Sequence, residues 1–194
     1  MARTHDTSDD DDLEYHPPTR EEVFAQLEDW RRRLHKLYAD IISWLPEGEG
    51  YETEIRDYMT DEGPMRVASV PPQPVPELRV YRHGDTGLIF TPDACWIIGV
   101  AGRIHIHEMN RHTQPHELVD SSSPFVDPGW RLFHNNWRDR YKSSIASPSS
   151  LSRGISPSNR NETLPLYFMG DRSLLRGIPF NREELLALLE RRDG

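Results

Sequence analysis

Five of the chain's nine histidines, His105, His107, His112, His116 and His134, fall within a stretch of thirty residues. In a strand, side chains two positions apart share a face at a spacing of about 7 Å. The run His105-Ile106-His107 therefore sends two imidazoles to one side and Ile104 and Ile106 to the other. Two imidazoles so placed can share one transition metal ion (Zn, Fe, Mn or Ni), and with a third ligand and an open position that metal would polarise an oxygen or lower the pKa of bound water. Histidines that merely decorate the solvated face of a strand would give the same pattern.

Two further groups suggest other chemistry. Arg131, Arg138, Arg140 and Lys142 alternate with Trp130, Phe133, Trp137 and Tyr141, and stacking aromatics beside phosphate-neutralising cations are what single-strand nucleic-acid binding uses. An amphipathic helix with an aromatic core face has the same composition, and the formal net charge of -9 favours that reading. The other group is a stripe of Val23, Leu27, Trp30, Leu34, Leu37, Ile41 and Trp44, recurring at intervals of four and three. It fits a groove on a partner helix, with Trp30 and Trp44 as anchors, as well as it fits the chain's own sheet. Nucleophilic and nucleotide chemistry lack their usual carriers: there is no Gly-x-Ser-x-Gly elbow and no phosphate-binding glycine loop, and Cys95 stands in an apolar run beside Trp96. A single cysteine also excludes an internal disulfide and a cysteine-rich zinc ribbon.

Gly99, His105 and His107 follow the order of the first motif of the cupin family, in which five residues separate a glycine from a His-x-His pair. The region resembles that motif, with His112 where the family has glutamate and Val119 where it has glycine. Pro128-Gly129 with His134 and Asn135 is similar to the second motif in distorted form. The resemblance spans positions 99–135. It implies a small β-barrel holding iron, manganese, zinc or nickel through His105, His107, His112 and His134, with His116 as a further candidate.

The sequence marks the ends of the elements that must position these residues. Pro17 and Pro18 block an upstream helix, Thr19 can cap, Glu22 completes a capping box and Pro46 stops the run. Between them the spacing predicts an amphipathic helix of about 26 residues, its stripe widened by Phe24, Tyr38, Ile42 and Leu45. Tyr51, Ile55, Tyr58 and Met59 predict a short second helix, and the four prolines at 71, 72, 74 and 76 predict an extended connector over 71–76. An antiparallel meander of four to six strands is expected next, at 78–81, 87–91, 95–100 and 103–109 with 117–119 as a fifth, turning at His83-Gly84-Asp85, Pro92-Asp93 and Ala101-Gly102. Residues 124–142 have helical spacing, 143–160 read as a Ser-rich flexible loop and 163–169 as a late strand. Asn181, with Glu184 three residues on, should cap a short C-terminal helix.

With 194 residues, 36% of them apolar, 16 prolines and a mean hydropathy of -0.73, the chain can bury one ordinary core. The expected organisation is a disordered acidic tail over 1–16 and a single α+β domain over 17–194. The charge is uneven, because residues 1–64 hold 18 Asp and Glu against 7 Lys and Arg. No apolar run approaches the ~20 residues of a membrane span, and a cytoplasmic location is expected. The leading expectation is a non-enzymatic interaction module without a cofactor. It would meet a protein partner, or itself, through the N-terminal helix, in the manner of an inhibitor or antitoxin that neutralises a basic protein. The alternatives are a metal-dependent enzyme with a cupin-like His-x-His site and an accessory protein touching nucleic acid through Arg131, Arg138, Arg140 and Lys142.

Overall fold

A computed structural model describes residues 16–82, 86–97, 99–109, 115–121, 129–134 and 177–190. The first element, α1 (Arg20–Trp44), begins where its cap requires. The Thr19 hydroxyl accepts from the Glu22 amide at 3.2 Å, and the Glu22 carboxylate accepts from the Thr19 amide at 2.8 Å. Two of the helix's orphan donors are thereby satisfied. Leu45 leaves the helix in extended conformation, and the positive φ of Gly48 and Gly50 turns the chain toward the sheet.

Among the described residues seven strands follow in one antiparallel sheet whose spatial order is the chain order. They are β1 (Tyr51–Thr60), β2 (Gln73–Arg82), β3 (Thr86–Ala94), β4 (Gly102–Glu108), β5 (His116–Ser121), β6 (Gly129–Phe133) and β7 (Ile178–Pro179). A short helix α2 (Gly63–Val67) lies between β1 and β2, and α3 (Arg182–Glu190) closes the chain with Asn181 as its side-chain cap at 3.1 Å from the Glu184 amide. The α+β class and the two flanking helices are those expected, with more strands than the four to six predicted. Among the described residues β1 and β7 are the two edges of an open sheet, whereas the cupin resemblance implied a barrel.

Four local expectations are corrected. Residues 51–59 form β1 and not a helix: ten positions pair with β2, and Tyr51, Thr53, Ile55, Tyr58 and Thr60 are the β-branched and aromatic types a pleated strand favours. The strand expected over 95–100 is, among the described residues, only the isolated bridge Ile97–Val100, and 129–133 form β6, although the spacing there was helical. The connector predicted over 71–76 is only half a connector, since Pro74 and Pro76 lie inside β2 opposite Met59 and Asp57. The expected turn at 83–85, the loop over 143–160, the late strand at 163–169 and nearly all of the tail over 1–16 lie outside the described residues.

The prolines are tolerated because of where their backbone points. The Pro74 carbonyl accepts from Arg31 at 2.8 Å, and the Tyr38 hydroxyl lies 3.0 Å from the Pro76 carbonyl and 3.1 Å from that of Phe90. Both proline positions thus face away from β1, where a missing N–H breaks no bond to that strand. The β2–β3 pairing ends at Leu78–Phe90, because continuing the register would set Pro76 against Pro92 with no donor on either side. Tyr38 fills that gap from the helix. Its burial, with Glu77 nearby, pushes its pKa far above the usual phenol value, so it remains a donor.

α1 covers one face of the sheet. Val23, Leu27, Trp30, Leu34, Leu37, Tyr38 and Ile41 are buried against Leu78, Val80, Leu88, Phe90, Ile104, Ile106, Leu118 and Leu132. Gly102 lets the helix approach, for a Cβ there would stand 2.2 Å from the Trp30 ring. Trp130 packs 5.8 Å from Trp30, and the Arg33 guanidinium stacks 4.9 Å from the Trp30 ring while bonding Asp120 at 2.6 Å and the Ala101 carbonyl at 2.8 Å. At the far end Trp44 meets Phe180 at 5.7 Å, and Arg182 donates to the Trp44 carbonyl, docking α3.

Candidate functional site

Strand alternation and the observed register divide the histidines between two faces. His105 and His107 stand on the face away from α1, with ring centroids 5.9 Å apart. His116 lies opposite Ile106 on the α1 face and is buried, and its Nδ1 is 3.3 Å from that of His134. The donors that the cupin resemblance groups together are therefore not brought together: His105 and His107 are separated by the sheet from His116 and His134, and His112 lies outside the described residues. Among the described residues no group of three His, Cys, Asp or Glu could hold a metal ion.

The face away from α1 carries a polar row across four strands, with Glu77, Thr91, His105 and Glu117 standing side by side. Its carboxylates are sheltered, Glu77 being 7% exposed and Glu117 8%. Glu77 accepts from Arg79 at 2.8 Å and from the Thr91 hydroxyl at 2.9 Å. A bulge between Pro92 and Ala94 inserts Asp93 into β3 and aims its carboxylate at β4, where it accepts from Arg103 Nε at 2.7 Å and lies 3.7 Å from His105 Nδ1. Burial depresses the His105 pKa below its ordinary value, and this outweighs the opposing effects of Asp93 and Glu117. Nearer the edge, Glu54 accepts from Tyr81 at 2.9 Å and from Arg56 at 2.8 Å, and these bonds, Arg56's first, hold its carboxyl below the usual range. Chemically this is a face of carboxylates already engaged by arginines and hydroxyls around an imidazole that burial keeps neutral. Cys95 is likewise ill placed for nucleophilic work: its thiol is buried, burial and Glu62 push its pKa far up, and its amide donates to the Glu62 carboxylate.

The stripe expected to meet a partner is occupied within the chain. Val23, Leu27, Trp30, Leu34, Leu37 and Ile41 are all buried in the core, and Trp44 packs against it. Of the basic residues expected to touch nucleic acid, Arg131 lies on β6 opposite Val119, and Arg138, Arg140 and Lys142 lie outside the described residues. No described helix is long and apolar enough to cross a membrane.

One open feature escaped the sequence reading, the outer edge of β1. The carbonyls of Pro74 and Pro76 point away from β1, so the odd positions opposite them make no ladder bond to β2. Thr53, Ile55, Asp57 and Met59 accordingly direct their N–H and C=O groups outward, and no strand among the described residues receives them. Ile55 is 47% exposed and Met59 55%. The signal was present in the alternation of Tyr51, Thr53 and Ile55 with Glu52, Glu54 and Arg56, but the interval from Ile55 to Met59 also matched a helix. No protein-family model, no curated protein and no solved structure matches the chain.

Proposed function

We propose that the chain is a non-enzymatic interaction module whose partner adds a strand to the outer edge of β1. The observation that carries this reading is the row of outward backbone groups at Thr53, Ile55, Asp57 and Met59 on a ten-residue edge strand with exposed apolar side chains. An edge of that length is a template for pairing unless it is covered, and β-strand addition supplies affinity through main-chain bonds. The polar face supports a binding role over a catalytic one, because Glu77, Asp93 and Glu54 are each committed to neighbouring side chains. The test is Thr53→Pro, which removes an outward N–H and leaves the bonds between β1 and β2 in place. Partner capture from the native cell extract should be lost while circular dichroism and melting temperature hold. Equal capture by the variant would remove the edge from the account.

A second reading, a metal site, is favoured by one distance. The 3.3 Å between His116 Nδ1 and His134 Nδ1 is close to the separation of two nitrogens that each lie ~2.0–2.1 Å from one tetrahedral zinc. Elemental mass spectrometry of untagged protein decides it. About one metal per chain, lost in His116→Ala, would support the site, and metal-free protein would dismiss it.

A further inference from the structure

The edge of β1 reads as complementary to itself. Its sequence, Tyr-Glu-Thr-Glu-Ile-Arg-Asp-Tyr-Met-Thr, places Glu54 and Arg56 symmetrically about Ile55, with Tyr51 and Met59 as the outer symmetric pair. Ile55 also directs its backbone outward, so it can form a hydrogen-bonded pair with its own symmetry mate, as an antiparallel two-fold contact centred on it requires. We infer that a second copy of this chain pairs with the edge, β1 against β1, antiparallel and centred on Ile55. This rests on the reading of β1 as a binding edge and names the occupant.

In that register Ile55 faces Ile55 of the second copy, and Met59 faces Tyr51, on the side of the sheet that carries α1. On the other side Glu54 faces Arg56 and Arg56 faces Glu54, giving a block of four charges in which every neighbour along and across the strands has the opposite sign. Glu52 faces Tyr58 and Asp57 faces Thr53. Within β1 no like charges stand directly opposite, although three of its four charged residues, Glu52, Glu54 and Asp57, are acidic.

Neighbouring registers lack this property. Centring on Thr53 sets Glu52 against Glu54, centring on Glu54 or on Arg56 sets a charge against itself, and centring on Asp57 does the same. Like charges directly opposite on paired strands are destabilising and opposite charges favourable, so the charge pattern selects the Ile55 register over each of them. The outward-facing hydrogen-bonding groups at Thr53, Ile55, Asp57 and Met59 then all find partners, and the dyad, perpendicular to the sheet, puts both α1 helices on the same face of one continuous sheet.

The experiment is sedimentation equilibrium of the full chain from micromolar to near-millimolar concentration, on wild type, Glu54→Arg, Arg56→Glu and an equimolar mixture of the two variants. Wild type should be a dimer, and each single variant should dimerise on the order of tenfold more weakly or worse, because two opposite-sign pairs become like-sign pairs. The mixture should recover a heterodimer, because an all-arginine edge then meets an all-glutamate one. Recovery also shows that neither variant lost its fold. A monomeric wild type overturns the inference, as does a dimer that both reversals leave intact, or a mixture no more associated than its components. A monomeric wild type whose partner capture is still lost in Thr53→Pro refutes only the occupant, whereas capture indifferent to that proline refutes the edge itself.

Discussion

α1 repeats Val23, Leu27, Trp30 and Leu34 at intervals of four, three and four, and β1 places Tyr51, Ile55, Tyr58 and Met59 at intervals of four, three and one. The first segment is a helix and the second a strand. Spacing alone does not separate them, although their ends differ. α1 has a complete capping box at Thr19 and Glu22, while β1 follows two glycines of positive φ and has no cap. Their apolar residues also have different fates. Those of α1 fill the core, and those of β1 lie at an edge with Ile55 and Met59 half exposed. A long apolar stripe was the strongest signal of the sequence and proves to hold the fold together, whereas the weaker signal lies at the surface where a partner can reach.

The contrast is broken most sharply by truncating one anchor in each region. Trp30→Ala should lower stability by about 3–5 kcal/mol in urea unfolding, since it opens a cavity between α1, Gly102 and Trp130. Ile55→Thr should change monomer stability by less than about 0.5 kcal/mol while weakening association. Comparable losses from both would mean that the edge belongs to the core. The effect next in size is expected at Arg33, whose guanidinium ties α1 to Asp120 and to the Ala101 carbonyl. Arg33→Met should cost about 2–3 kcal/mol, because Asp120 is left partly buried without its partner.

The smallest effect concerns the polar face. The folded His105 pKa lies below its unfolded value of 6.5, so below about pH 6.5 the unfolded chain binds the proton more readily. Its contribution to stability is therefore intact above that pH and is lost as the pH falls through it. His105→Gln should flatten the wild-type decline in melting temperature between pH 7 and 5, a window set by the ordinary imidazole value. An unchanged slope would mean that His105 is not sheltered as the fold shows it.

Caps and prolines made α1 and the last helix legible almost to the residue, because their signals are local: Thr19 with Glu22, Pro46, and Asn181 with Glu184. β2, β3, β4 and β5 were legible through their alternation, but the turn expected at Pro92-Asp93 falls inside β3 as its bulge, and the strand expected over 95–100 is only an isolated bridge. β1 and β6 were not, since Tyr51, Ile55 and Tyr58, like Trp130 and Phe133, fit a helical interval as well as a pleat, and only pairing with a neighbour decides between them. For the histidines the sequence was a partial guide. It placed His105 and His107 on one face, but the separation of His116 and His134 onto the other depends on register, which the sequence does not display. The bulge that inserts Asp93 beside Arg103 and His105 is likewise a property of paired strands and not of either strand alone.

Residue-resolved amide hydrogen exchange along β1, followed by NMR at low and at high protein concentration, reports on the outer edge amide by amide. If the outer edge is the binding surface, the amides of Glu54, Arg56 and Tyr58 are protected at both concentrations, and those of Thr53, Ile55, Asp57 and Met59 exchange fast when dilute and slow down when concentrated. Outward amides already protected in the dilute chain, or unaffected by concentration and by every captured partner, would contradict it.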